Sequence, residues 1–463
     1  MSLAMLPPYL LSYIFHESNH KHFLIPIIIL QILALFYLID RRSINELRIR
    51  ESLLIVVAAW LGVTIIGAIP FLLDHIFLNF TDAFFETLSG FTATGSTVLI
   101  NIEQVPKSVL FWRSETHWLG GMGIVVLAIA IFPSLHVTNK LFSSEAPVSV
   151  ADDKLFPRIS MIAKSYWKVY LLLTLVEVVL LIPAMGWFDA ITHSFASIAG
   201  GGFSTRNDSI AFFNSLYVEV ILIVFMLLGA TSFILHFKAL HGKFTYHKNR
   251  SLKIFIGIIL AASLLISVNL VLFQSTKLTI WEALRTALFQ VVSIISTTGF
   301  ATVDFRFWPP FSKLLLLLLM FVGGMAASTS GSIKIWRFEI LIKSIKRVMS
   351  RALHNKVVTP IHLKGKWLDN QLELRITTFI VAYLCIFVLS GLLLVSQGYN
   401  PATSFSAVAA TLGNVGPGIG AVGPFDNFAQ FSQFAKWILS FDMLLGRLEI
   451  WTVLALFIPE FWL

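Results

Sequence analysis

The chain has 463 residues, of which 57% are hydrophobic and only 13% charged, and its mean hydropathy is +0.82. Soluble globular chains carry about 25% charged residues, so this composition excludes a soluble domain and indicates a multi-pass membrane protein. The net charge of +9 does not indicate nucleic acid, because 24 of the 34 Lys and Arg fall in four segments, 41–50, 140–168, 238–253 and 334–375, and no basic groove is interleaved with aromatic residues. Those segments separate pairs of apolar runs and would share one side of a bilayer, the cytoplasmic side by the positive-inside rule. The longest, Lys334 to Arg375, is basic enough to suggest a docking surface too.

From the N-terminus, Ser2 to Phe15 is too short to span, contains Pro7 and Pro8, and lacks the features of a signal peptide. Phe23 to Ile39 is a first apolar run ending at Arg41-Arg42. Paired runs follow, at 52–73 and 109–132, 166–186 and 216–240, 254–273 and 312–333, and 374–396 and 436–459. Runs of this length suit bilayer-crossing helices. The expected organisation is an N-terminal extra transmembrane region at 1–50 and pore repeats at 51–140, 141–245, 246–365 and 366–463. The single cysteine, Cys385, sits in an apolar run and permits neither a disulfide nor a cysteine-based metal site.

Between the members of each pair lies a glycine-centred loop. The four read Thr92-Ala93-Thr94-Gly95, Ala199-Gly200-Gly201-Gly202, Ser296-Thr297-Thr298-Gly299 and Gly413-Asn414-Val415-Gly416. The last glycines lie 107, 97 and 117 residues apart. Thirteen residues before them stand Asp82, Asp189, Thr286 and Thr403, all favourable N-caps, each followed by a small residue. The spacing predicts a capped helix of about nine residues, roughly 14 Å, or half a bilayer core, ending at the loop. The expected fold is therefore an all-α membrane protein of four helix, re-entrant loop, helix repeats around a pseudo-fourfold pore.

Non-helical backbone at membrane depth must line water or be buried in protein. Four such loops make a ring of carbonyls that can replace the hydration shell of K+. The negative ends of four short helices favour a cation there, and glycine allows the positive φ that turns carbonyls inward. Because the four loops differ, the expected preference is potassium over sodium, with rubidium and caesium also passing.

In repeat three the stretch Gly323, Gly324, Met325, Ala326, Ala327, Ser328, Thr329, Ser330, Gly331, Ser332, Ile333, Lys334 interrupts the second helix with small and hydroxylated residues. It predicts a helix break and loose backbone beneath the filter, a gate. Close helix packing through small residues is the alternative. Arg447, in Leu444-Leu-Gly-Arg447-Leu-Glu449, is costly inside a span unless paired or wet. Facing the pore it would be a positive barrier; pairing with Glu449 or Asp442 is the alternative. Glu86, matched by His193, Gln290 and Ala407, could attract cations or hold its loop by hydrogen bonds to backbone, and the second is expected. His117 and His193 read as hydrogen-bonded packing residues, and His20 and His22 as a solvated loop.

Gly120-Gly-Met-Gly123 lacks the context of a nucleotide loop and reads as helix-packing glycine, so no nucleotide is expected on this chain itself. No catalytic arrangement is credible, so an enzyme is not expected. The rival is a secondary transporter with a mid-membrane substrate site, or a proton- or sodium-coupled potassium symporter on the same scaffold.

Gly120-Gly-Met-Gly123-Ile, the 323–334 run, Met443-Leu-Leu-Gly-Arg447-Leu-Glu and the four filter loops resemble the Trk/Ktr/HKT superfamily of cation transporters. Asp152-Asp-Lys-Leu-Phe-Pro157-Arg158 and the extra leading helix resemble its bacterial Trk-type branch. The likeness runs from about residue 23 to the end, and the first helix of the branch looks truncated. It implies potassium uptake in a bacterial inner membrane and a homodimer with one pore per subunit. It also implies a cytoplasmic NAD- or ATP-binding regulatory partner, TrkA-like. The family's filter glycines fall on Gly95, Gly202, Gly299 and Gly416, its gate loop on 323–332 and its pore arginine on Arg447.

Overall fold

Apolar length determines where the chain can cross a bilayer. The computed structural model describes residues 1–39, 49–131, 159–273, 278–353, 362–363, 366–367 and 370–462. Among them, four helices are long and apolar enough to span: Arg50–Leu73, Lys164–Ala199 (of which 187–199, past a kink at Gly186, is a pore helix), Arg250–Leu272 and Asn370–Ser396. Each leads one repeat. Their most apolar stretches are only 33–39% buried, and residues such as Val179, Leu260, Leu264 and Leu389 face outward, as a lipid-facing surface requires. The protein is thus an all-α membrane protein; the strands are two-residue pairs, Val322–Gly323 with Ile333–Lys334 and His362–Leu363 with Lys366–Trp367.

The trailing helices differ. Lys107–Ile131 runs through repeat one. In repeat two Leu216–Ala230 and Phe233–Leu240 meet at 103°. In repeat three Pro310–Leu319 stops, a loop follows, and Ile335–Leu353 resumes. In repeat four Gln433–Arg447 ends ahead of Ile450–Leu454, with Glu449 at φ 62. Only the third break was expected from the sequence. Two apolar cores flank the axis: one contains Tyr170, Phe255 and Phe289 of repeats two and three, the other Phe71, Phe85, Trp112 and Tyr383 of repeats one and four.

The N-terminal segment forms a short helix, Leu6–Ile14, packed on the trailing helix of repeat one. Glu17 accepts the backbone N–H of Lys107 at 2.6 Å and of Ser108 at 3.2 Å, placing a carboxylate at that helix's positive end. The junction at 140–141 and Asp152–Arg158 lie outside the described residues, as do parts of segments 41–50, 140–168 and 334–375 and residue 365 of the junction at 365–366.

The pore helices begin earlier than their expected caps. They span Phe80–Phe91, Ile280–Ile295 and Pro401–Leu412, with 12, 16 and 12 residues. In repeat two Gly186, at φ 77 and ψ 165, separates the leading helix from the pore helix at 187–199. Asp82, Asp189, Thr286 and Thr403 are therefore inside the helices rather than at their caps. The reason is stronger local chemistry upstream. Thr279 forms a capping box with Glu282, and the Asn400 side chain accepts the N–H of Ala402 ahead of Pro401. Asp82 instead pairs with Lys436 at 2.6 Å, joining repeats one and four, and Asp189 accepts from Thr205 and Arg206.

Candidate functional site: four glycine loops and the loop packed against them

All four pore helices end in the same way. The N–H groups of Ala93, Gly200, Thr297 and Asn414 bond to the carbonyls of Gly90, Ser197, Ile294 and Thr411 at 2.9–3.1 Å, and those of Thr94, Gly201, Thr298 and Val415 to Ser89, Ala196, Ser293 and Ala410 at 2.8–2.9 Å. This pairing is the Schellman end of a helix, and it requires one left-handed residue. That residue is Ala93, Gly200, Thr297 and Asn414, at φ 49, 70, 60 and 51. Two positions on, Gly95, Gly202, Gly299 and Gly416 are also left-handed, at φ 87, 72, 82 and 102. The alternation turns the backbone of each loop in the same sense.

The loops close on one another. A Cβ added to Gly95 would fall within 3.0 Å of the Gly201 carbonyl oxygen, one on Gly202 within that distance of Thr298, one on Gly299 of Val415, and one on Gly416 of Thr94. The order is repeat one to two to three to four and back to one. Each glycine is thus packed against the carbonyl one residue before its counterpart in the next repeat, and no side chain fits between.

Side chains then hold the ring. Thr92 and Thr94 hydroxyls lie 2.7 Å apart, and those of Ser296 and Thr298 2.9 Å apart. Asn414 donates to Thr94 Oγ1 at 2.8 Å and to the Met443 carbonyl at 3.0 Å. Glu86 is fully buried and accepts from Thr97 Oγ1 and from Val98 N–H, each at 2.8 Å, so it does hold its loop. His193 binds Ser204 Oγ at 2.9 Å, and Gln290 donates to Thr302 at 3.3 Å. Ala407 has no such group, and in repeat four the neighbouring Ser406 donates to the Ile419 carbonyl at 2.7 Å.

Arg113 was missed from sequence. Its Nε donates to Glu86 Oε1 at 2.6 Å and its Nη1 to the Ser204 carbonyl at 2.8 Å. A lone arginine 27 positions from its partner on another helix leaves no periodic signal; its place in an apolar span was the available clue.

Next to the four glycine loops, residues 323–334 form a closed loop whose ends pair in parallel, Val322 with Ile333 and Gly323 with Lys334. The expected helix break is present, but the backbone is not loose. Gly324 N–H donates to Ser330 Oγ at 2.9 Å, and Lys334 donates to the Ser330 carbonyl. Ser328 donates to the Met325 carbonyl at 2.5 Å. The break at 231–232 in repeat two receives the loop: Met325 N–H bonds to Ala230, Thr329 N–H to Gly229, and Phe233 N–H to the Ala327 carbonyl, at 2.9, 3.2 and 3.0 Å. Backbone groups freed by one broken helix thus satisfy those of another. Ala326 packs against the apolar core of repeats one and four.

This loop also touches the glycine loops and the end of a pore helix. Gly331 N–H donates to Thr297 Oγ1 at 2.7 Å, Ser332 Oγ to the Gly413 carbonyl at 2.9 Å, and Thr329 Oγ1 to the Ile198 carbonyl at 2.8 Å. Arg447 does not pair with Glu449 or Asp442. It donates to the Thr329 carbonyl at 2.9 Å and to the carbonyls of Gly120 and Gly121. Glu449 pairs with Arg337, and Asp442 accepts from Ser390 at 2.9 Å. Gly120 and Gly121 pack closely on Phe91 and Ala199, as helix-packing glycines do. His117 Nδ1 lies 2.8 Å from the Gly90 carbonyl, and the ring stacks on Phe203.

Among the described residues, two cavities border this assembly. One, of about 60 Å3, is lined by Gly95, Gly202, Gly299 and Gly416. The other, of about 90 Å3, is lined by Ser330, Gly331, Lys334 and Arg447.

Residues 16–462 match the family model described as TrkH, cation transport protein. The Trk system potassium uptake protein TrkH of Salmonella typhimurium is 39% identical over 99% of this chain and 96% of its own length. TrkG of Escherichia coli is 33% identical over 100% and 96%. The crystal structure of the potassium transporter TrkH from Vibrio parahaemolyticus superposes with a TM-score of 0.89 at 38% identity, covering 100% of this chain and 96% of that one. A filter-like ring built from four repeats and a match along nearly the whole chain lead to one conclusion: the chain belongs to the TrkH family of cation transport proteins.

Proposed function

We propose that this chain carries potassium into a bacterial cell across the inner membrane. The ion would pass through the ring at 92–95, 199–202, 296–299 and 413–416, with carbonyls replacing its water. The loop 323–334 and Arg447 would form the closed barrier below. The single observation that carries this reading is the closure of the ring, each filter glycine packed against a carbonyl of the next repeat. The ends of the four pore helices meet the same region and favour a cation. The relatives are named as potassium uptake proteins. The chain is a transport protein, not an enzyme. A homodimer and a cytoplasmic NAD- or ATP-binding regulatory partner, TrkA-like, complete the proposal; the basic segments, in particular 334–375, would offer that partner its docking surface.

The test is flux of potassium, rubidium and sodium in liposomes under an imposed gradient, with internal pH recorded. Potassium and rubidium flux well above sodium, with no pH change, is the expected result; equal sodium and potassium flux would sink it. A second reading, proton-coupled symport, has one observation in its favour. Glu177 and Asp442 are fully buried carboxyls with no ion-pair partner among the described residues. Matching proton entry in the same liposomes would select it.

A further inference from the structure

The four filter loops are not equally equipped to hold their own shape. Loop one has the Thr92–Thr94 hydroxyl pair, loop three the Ser296–Thr298 pair, and loop four the Asn414 amide. Loop two reads Ala199-Gly200-Gly201-Gly202 and has no polar side chain at all. Three successive glycines are also the most conformationally free backbone a chain can have. Beyond the backbone bonds of Gly200 and Gly201 to the end of the pore helix, nothing within the loop fixes it.

The neighbouring repeat does. Arg113 and His117 lie one turn apart on the trailing helix of repeat one, and both reach across to repeat two. The Arg113 guanidinium carbon sits 3.5 Å from the centre of the Phe203 ring, the residue after Gly202, while Nη1 donates to the Ser204 carbonyl at 2.8 Å. The His117 ring stacks on the same Phe203 at 4.0 Å and lies so close to Gly201 that a Cβ there would fall within 3.0 Å of it. Arg113 is 2% exposed and its carboxylate partner Glu86 is fully buried. Glu86 in turn holds Thr97 and Val98, the chain rising from loop one. One guanidinium therefore joins the exits of loops one and two.

Resting on the filter reading above, we propose that Arg113 is a positioning residue for ion discrimination. Anchored by Glu86 and aided by His117, it clamps the triple-glycine loop so that its carbonyls keep the spacing of the larger ion. A ring whose members can collapse inward accommodates sodium as well as potassium. The loop with no side-chain anchor of its own is where that collapse begins if the clamp is removed.

The experiment is potassium and sodium flux in liposomes for Arg113→Gln and Arg113→Lys, beside Gly299→Ser as a control that tests the filter itself. Arg113→Gln should lower the potassium-to-sodium ratio about tenfold, the size expected for losing a buried charge-assisted bond, while total cation flux persists. Arg113→Lys keeps the charge without the fork and should fall between. If Arg113→Gln is not recovered as folded protein, Glu86→Gln with Arg113→Gln removes both charges together and should show the same loss of ratio. A folded Arg113 variant with the wild-type ratio, beside a Gly299→Ser variant with a lowered one, overturns the clamp and leaves the filter standing. Unchanged ratios in both overturn the filter reading, and the clamp with it.

Discussion

The leading and trailing helices of this protein face different demands. Each leading helix is long, apolar and mostly turned outward. Three of the four trailing helices are broken, at 231–232, at 320–334 and at 448–449, and the unbroken one carries Arg113, Glu115 and His117. A leading helix satisfies its backbone internally and needs only apolar side chains. A broken helix exposes N–H and carbonyl groups that must find partners elsewhere, and those of the breaks at 231–232 and 320–334 find them in one another and in the glycine loops. Those two breaks therefore lie where protein can satisfy them, beside the glycine loops.

Substitutions can break or sharpen that contrast. The largest effect is expected at Gly120 of the first trailing helix. Its carbonyl accepts from Arg447, and an added Cβ would fall within 3.0 Å of the Phe91 carbonyl. Gly120→Ala should destabilise by about 3 kcal/mol through overpacking, read as a lowered melting temperature in detergent together with lost flux.

Removing residues 324–330 should follow in size, raising potassium flux about tenfold by shortening the barrier beneath the ring. Lower flux from a correctly folded deletion would mean that the loop supports the filter rather than closes it. Its contacts with Thr297 and Gly413 make that alternative concrete. Arg447→Gln should raise flux more modestly, several-fold, because it removes the positive charge but leaves the loop in place. Flux at the wild-type level would show that the guanidinium is only a tie between Thr329 and Gly120.

The smallest effect is expected at Gly257 of a leading helix, where an added Cβ meets nothing within 4 Å. Gly257→Ala should change stability by no more than about 1 kcal/mol, in the stabilising direction, from helix propensity alone. A large loss there would mean that the leading helices are packed in a way their outward faces do not suggest.

How far the sequence reached depends on whether a feature is local. The apolar runs, the four loops and the break at 323–332 were legible, because span length, glycine and small-residue composition act on the residues that carry them. The role of Glu86 was legible from its matched positions. The pore-helix starts were misplaced by three to seven residues in repeats one, three and four, since alignment on the glycines named capping-type residues while the stronger caps at Thr279 and Asn400 lay upstream. The breaks at 231–232 and 448–449 were not seen, as Thr231-Ser232 and Leu448-Glu449 are unremarkable in composition.

By itself the sequence determined that this is a membrane protein of four like units, each presenting a glycine loop, because hydrophobic length and backbone freedom belong to the residues themselves. Tertiary structure alone decided the order in which the loops meet, the left-handed turns at Ala93, Thr297 and Asn414, and the reach of Arg113 and Arg447 to carbonyls in other repeats. Those features are imposed by neighbours distant in the chain. A left-handed alanine or threonine is unfavourable alone; here the bonds that end each pore helix require it and the packed ring holds it.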